Sequence, residues 1–194
     1  EIRINGNIMK GIVSGNYYNF AMSISDGTVY IYNNIIYGFF IDNIYDIYKM
    51  GIYFESQLET AYVYNNTIYG CQNGFYQVAG TVILINNISY NNIINYVGTF
   101  VASNYNLSGP QQANAPGLNS RNGPDMFVTF INEANNNFHI SPNDIGARNY
   151  GIPNPGTGLF LDDIDGEIRR QLTWDIGADE TLACSAIQIK FDVI

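Results

Sequence analysis

Charge is what this chain has least of. Asp, Glu, Lys and Arg make up 13% of its 194 residues, about half the share of an ordinary soluble domain. Acidic residues outnumber basic ones by 17 to 8, a formal net charge of −9. With no basic stripe to neutralise phosphates, nucleic acid is excluded as a partner. No apolar run approaches membrane-crossing length, so no membrane span is expected. The chain holds one histidine, His139, and two cysteines, Cys71 and Cys184. A lone histidine gives no Cys/His metal spacing and no plausible Ser-His-Asp order. No phosphate-cradling glycine loop occurs either. The two cysteines could form one bridge or remain unpaired packing residues.

What replaces charge is Ile, Asn and Tyr, at 28, 27 and 16 copies. The asparagines are not scattered. A pair, or its near equivalent, recurs inside one phrase: IRINGNIMKG (2–11), VYIYNNIIYG (29–38), AYVYNNTIYG (61–70) and VILINNISYN (82–91). The second polar position is Asn7, Asn34, Asn66 and Asn87, and a weaker copy, TFVASNYNL, places Asn104 in that column. Self-similarity at such a period means stacked units. Each phrase opens with strict alternation, Val29 and Ile31 against Tyr30 and Tyr32 for example, the pattern of a strand with one buried face. A further extended run precedes the later phrases, at 20–23, 51–54, 74–78 and 94–97. Three short strands per repeat predict an all-β chain, a right-handed single-stranded parallel β-helix with an irregular C-terminal cap.

In such a coil each residue lies about 4.8 Å from its counterpart one turn on, so like side chains stack. The second asparagine then forms an inward amide ladder that satisfies turn backbone groups. The competing reading is a surface turn in which Asn merely tolerates left-handed backbone. Three tripeptides match the N-glycosylation pattern, at Asn65, Asn87 and Asn106, and an inward Asn87 would be sterically dead as an acceptor. The expected organisation is coils over 1–107, a closing region over 108–180 and a tail over 181–194. The chain enters a repeat at residue 2, so N-terminal coils or a cap are expected elsewhere, with a sticky edge open to end-to-end contact.

After Leu107 the rhythm stops. A Gly/Pro/Asn-rich stretch at 108–125 reads as a long loop. Short extended pieces follow near 126–131 and 137–140. The closing blocks are Phe138 to Pro142, Asp144-Ile145-Gly146, Asp163-Ile164-Asp165-Gly166 with Arg169, and Asp175 to Glu180. This ending resembles the choice-of-anchor Q domain that closes right-handed parallel β-helices of the pectate-lyase-like group. The resemblance spans about 125–180, with its final two blocks the most specific; the coils match that superfamily only by repeat pattern. It implies a region that closes the C-terminal end of the helix, often followed by a surface-attachment signal. Here the tail has neither a membrane-spanning stretch nor a basic end.

Eight charged residues fall within 163–180, among them Asp163, Asp165, Arg169, Arg170 and Glu180. Two arginines among carboxylates predict ion pairs pinning the tail over the last coil. Asp163 and Asp165 are also calcium candidates, since Asp-x-Asp-Gly is half of an EF-hand loop. Against that, Leu161 occupies a ligand position and the twelfth-position Glu is missing. No other cofactor is expected.

Hydrolases on this fold use clustered aspartates, and lyases a base with a cation to neutralise a uronate. The coils offer Arg3, Lys10 and Lys49 with Asp26, Asp42, Asp46, Glu55 and Glu59, scattered and unpaired, which is a poor active site. His139 reads as a packing or exposed residue. Tyrosine is more suggestive. Alternation sends Tyr30, Tyr32, Tyr62 and Tyr64 outward, and Tyr37, Tyr69 and Tyr90 form a second column beyond the ladder. Sugar rings stack on such strips; aromatic ladders also simply stabilise sheets, or are covered by a neighbouring chain. The expectation is a non-catalytic, secreted or cell-surface bacterial module that contacts polysaccharide or cell-surface glycan through its tyrosines. The alternative is the C-terminal part of a polysaccharide lyase or glycosidase whose catalytic coils precede residue 1.

Overall fold

A computed structural model describes residues 1–11, 18–40, 49–110, 112–123 and 126–181. Asp42, Asp46, Cys184 and nearly all of the tail lie outside them.

The alternating segments become strands, and each Asn pair ends one. The chain lays them down in threes: β1 (Ile2–Asn5), β2 (Ile8–Lys10) and β3 (Asn19–Ile24), then β4 (Thr28–Tyr32), β5 (Ile35–Tyr37) and β6 (Lys49–Phe54). A third pass gives β7 (Thr60–Tyr64), β8 (Thr67–Tyr69) and β9 (Asn73–Gln77), and a fourth β10 (Thr81–Ile85), β11 (Ile88–Tyr90) and β12 (Ile94–Val97). The fifth and sixth passes contribute only β13 (Leu107–Gly109) and β14 (Arg121–Asn122). Strands pair with their counterparts one pass away, giving sheets ordered β1-β4-β7-β10, β2-β5-β8-β11-β13-β14 and β3-β6-β9-β12. Pairing within all three is parallel. The protein is all-β with parallel sheets, an arrangement compatible with the expected β-helix.

Register follows the phrases. Val29 lies beside Ala61 and Ala61 beside Val82, Ile31 beside Val63 and Val63 beside Leu84. These inward columns are buried and merge with Met22, Ile52, Phe54, Ile68 and Phe75 into one core.

The two asparagines of each pair do different work. The first sits at a corner in left-handed backbone, with φ of 52° at Asn33, 49° at Asn65 and 60° at Asn86, a conformation that Asn tolerates better than most residues. The second points inward. The side-chain NH2 groups of Asn7, Asn34, Asn66 and Asn87 donate to the amide oxygens of Asn34, Asn66, Asn87 and Asn106 at 2.9, 2.9, 3.0 and 3.1 Å. The same oxygens accept the backbone N–H of the donor residue. Each NH2 also reaches the carbonyl two residues earlier, at Asn5, Tyr32, Tyr64 and Ile85. The stack ends on Ser120, whose hydroxyl accepts the Asn106 N–H.

Its fifth member is therefore Asn106, not the expected Asn104. In this pass Tyr105, with φ 55°, takes the left-handed corner that an asparagine fills elsewhere, so the inward residue follows it. Asn104 instead stands opposite Ile85, and its amide oxygen accepts from Tyr105 and Asn119 N–H.

The closing region does not confine itself to the last pass. A hairpin of β15 (Phe130–Asn132) and β16 (Asn137–Ile140) covers the outer face of the second sheet, where Val128, Phe130, Phe138, Ile140, Ile176 and Ala178 pack on Ile35, Ile88, Tyr90 and Leu107. Phe160 and Trp174 cover Tyr32 and Tyr64 on the first sheet. Residues from the second to the fifth pass are thus covered from the side. Among the described residues no helix is long and apolar enough to cross a membrane.

Candidate functional site

Strand alternation does send the seven candidate tyrosines away from the core, but the closing region then meets most of them. Tyr32, Tyr64 and Tyr90 are only 5–6% exposed. Tyr32 stacks on Phe160 at 4.6 Å between ring centres. Tyr37 and Tyr69 lie 4.9 and 4.3 Å from Phe138, and Phe130 meets Tyr69 and Tyr90 edge-on. The Tyr69 hydroxyl donates to Glu133 and accepts from Asn91, both at 2.9 Å. Burial pushes the Tyr64 and Tyr69 phenols up to about 12, in Tyr69 with help from Glu133. Distant segments thus close off Tyr32, Tyr64 and Tyr90 and pack against Tyr37 and Tyr69, which stay half-exposed.

Tyr30 and Tyr62 remain half-exposed. Register places them side by side, with rings 5.0 Å apart and inclined by 14°. Thr28, Thr60 and Thr81 form a half-exposed column beside them. The face therefore offers a stacked aromatic pair edged by three in-register threonines. A second outward ring series, Phe20 on Tyr53 at 4.7 Å and Tyr53 near Tyr76 at 5.8 Å, runs along the third sheet. Sequence reasoning missed it because Ser23, not Phe20, is the register mate of Tyr53, so the rings meet diagonally.

Sequence reasoning also missed the docking role of the first asparagines. Asn33 Nδ2 donates to Asp162 O, Asn65 Nδ2 to Asp175 O and Gly177 O, and Asn86 Nδ2 to Ile152 O. The corner residues thus supply a column of amides that pairs with the backbone of the closing region. Asn65, Asn87 and Asn106 are all fully buried, so none of the three glycosylation tripeptides is accessible.

The acidic blocks turn out to be backbone clasps. Asp144 accepts from the N–H groups of Thr129, Ala147 and Arg148. Asp175 accepts from Asn149 and Thr181. Asp163 accepts from Asp165 and Glu167 through one oxygen and from Glu180 through the other. Both oxygens of Asp163 are thus engaged by backbone N–H groups, and the 163–167 turn is held by its own carboxylate.

Arg169, 4% exposed, is the hub. It donates to Glu180 Oε2 at 3.3 Å, Asn33 Oδ1 at 3.0 Å and the carbonyls of Asp162, Gly177 and Ala178, and lies over the Trp174 ring. Burial works against its charge, which Glu180 and three aspartates favour. Burial and Asp175 push Glu180 up to about 7, while the Asp175 N–H, Arg169 and Arg170 pull it back. Arg169 therefore ties the closing region to the second pass as well as to itself.

Among the described residues, the scattered coil charges are engaged separately. Arg3 pairs with Glu1, Asp26 caps its own turn at Gly27, Glu55 accepts from Ser23 and Lys49 is buried. Cys71 is buried as well, its thiol pushed up to about 12 by desolvation. Among the described residues, the one concentration of ligating groups is His139, Asp165 and Asp179, whose donor atoms lie within 4.8 Å of one another. Burial pushes Asp179 up to about 6; the Ile140 N–H and His139 oppose the shift. No family model, curated protein or solved structure matches this chain.

Proposed function

We propose that this chain forms a right-handed parallel β-helix of the pectate-lyase-like kind, closed by a choice-of-anchor Q type region. It acts as a non-catalytic secreted or cell-surface module that contacts polysaccharide. The observation that carries this reading is the Tyr30–Tyr62 pair, two near-parallel stacked rings left half-exposed beside the threonine column, whereas Tyr37 and Tyr69, also half-exposed, pack against Phe138. The phenol and threonine hydroxyls of this face suit hydrogen bonds to a sugar's rim, with stacking available on the part of each ring that its neighbour does not cover. A net charge of −9 repels polyuronates, so a neutral polysaccharide is the ligand class.

The test is retention on a panel of insoluble neutral and acidic polysaccharides, with dissociation constants for the soluble forms. Tyr30→Ala and Tyr62→Ala should each weaken binding by about tenfold, equivalent to about 1.4 kcal/mol. Threonine substitution at 60 should cost less. Unchanged binding in both tyrosine variants, or preference for polyuronates, would remove this face as the contact. β1, β2 and β3 lie at sheet edges, with Ile2 and Ile8 exposed, and an end-to-end contact there is the second partner contact we propose. Light scattering that shows only monomer over a wide concentration range counts against it.

A further inference from the structure

His139 lies in a cleft of about 380 Å³ between the hairpin and the closing blocks, lined also by Ile131, Asn137, Asp165, Asp179 and Glu180. Its ring orientation follows from one neighbour. Asn137 Oδ1 accepts the His139 backbone N–H at 3.2 Å, which identifies that atom as oxygen. The same oxygen lies 2.7 Å from Nδ1 of the ring, so Nδ1 carries the proton. In the neutral ring Nε2 then holds a lone pair. That atom is shut off from solvent and makes no hydrogen bond, although Asp165 Oδ2 stands 3.2 Å away. Asp179 completes the group, its Oδ2 fixed by the Ile140 N–H at 2.7 Å.

Three lone-pair-bearing atoms around one point repel each other unless they share a positive charge. We propose that His139 Nε2 and the carboxylates of Asp165 and Asp179 bind a divalent first-row transition cation of the zinc type. One imidazole and two carboxylates neutralise such an ion and are ordinary zinc ligands. Calcium takes oxygen ligands alone, so the imidazole argues against it. Nδ1–H held by an amide oxygen is the usual outer-shell support for a ligating histidine. Zinc with donors at about 2.1 Å sets them about 3.4 Å apart. The 3.2 Å His139–Asp165 edge already fits. The other two edges lie within 4.8 Å, and the Asp165 side chain, 55% exposed, has room to adjust. The ion would join three segments far apart in sequence, the hairpin, the 163–166 turn and the 175–180 block, leaving a coordination position open to the cleft. This differs from a calcium loop on Asp163 and Asp165, and does not depend on glycan binding.

Because His139 is the only histidine in the chain, its imidazole is an unambiguous reporter. Tag-free protein at neutral pH is titrated with zinc chloride and followed by nuclear magnetic resonance of the imidazole, with stoichiometry from calorimetry. The expected result is one saturable equivalent, a shifted Nε2 signal with Nδ1 still protonated, and a rise in melting temperature. Asp165→Asn, on an exposed side chain, should lower affinity by at least about tenfold, and calcium chloride should not displace the zinc. His139→Gln should abolish binding, and the Asp165 variant decides the matter if that protein fails to fold. An imidazole unmoved by zinc at about 1 mM, where binding would be weaker than about −4 kcal/mol, would overturn the site. So would wild-type affinity in Asp165→Asn.

Discussion

Replacing Asn66 by Leu removes the middle rung of the buried amide stack while keeping the side chain's size. The consequences can be counted from its bonds. Asn34 N–H and one N–H of the Asn34 side chain lose their acceptor, Asn66 Oδ1, at 3.1 and 2.9 Å. The carbonyls of Ile31 and Tyr64 and the amide oxygen of Asn87 each lose a donor. The side chain of Asn34 keeps bonds to Ile4 and Tyr32, and Asn87 keeps one to the Asn66 backbone, so those two losses are partial. The Asn34 backbone N–H keeps nothing comparable. At about 1 to 3 kcal/mol for each buried group left unpaired, one full and several partial losses amount to about 3 to 5 kcal/mol. That is a large part of a typical domain's stability. Urea unfolding followed by fluorescence of the single tryptophan, Trp174, should show a lower midpoint with an unchanged slope. A loss below about 0.5 kcal/mol would mean that Asn66 faces water. The same assay discriminates the fifth rung: Asn106→Leu should cost as much as a central rung, and Asn104→Leu much less.

Two further outcomes follow from the closing region and its tyrosines. Arg169→Met strips buried Glu180 of its nearest cation and should cost about 3 to 5 kcal/mol. Trp174 emission should shift to the red as that layer loosens, and adding Glu180→Gln should recover much of the loss; recovery failing entirely would mean that the cost is steric. On the alkaline side, Tyr64 stays neutral in the fold to about pH 12, whereas in the unfolded chain it ionises near 10. The unfolded state releases its proton first, so this contribution is fully present below pH 10 and lost as pH rises toward 12. It amounts to about 3 kcal/mol. The tyrosinate absorbance belonging to Tyr64, isolated as the difference from Tyr64→Phe, should therefore rise together with unfolding rather than before it, and early ionisation of Tyr64 in folded protein would contradict its burial.

The repeat was legible because stacking brings like residues into register, so a phrase at 29–38 and another at 61–70 report one shared environment. The fifth copy was misread by two residues because Tyr105 supplies the left-handed corner without being an asparagine. Which outward residues meet solvent was not legible at all. Alternation says that Tyr64 leaves the core, but its cover comes from Phe160 and Trp174, about a hundred positions later, through contacts that no local pattern encodes. The first asparagine of each pair carried the same ambiguity: a corner residue by propensity, and a docking amide only because 150–177 passes beside it. His139 reads as ordinary within Phe138-His139-Ile140, since its two carboxylate neighbours come from other segments.

The stacked fold depends most on the amides of distant passes being bonded to one another out of reach of water. Hydrogen exchange of the individual side-chain NH2 groups, resolved by nitrogen-edited nuclear magnetic resonance, measures this directly. Asn34, Asn66 and Asn87 should keep their side-chain protons as long as the slowest backbone groups, while Asn135 and Asn154 on the surface lose theirs at once. Immediate exchange at 34, 66 and 87 would contradict the stacked arrangement.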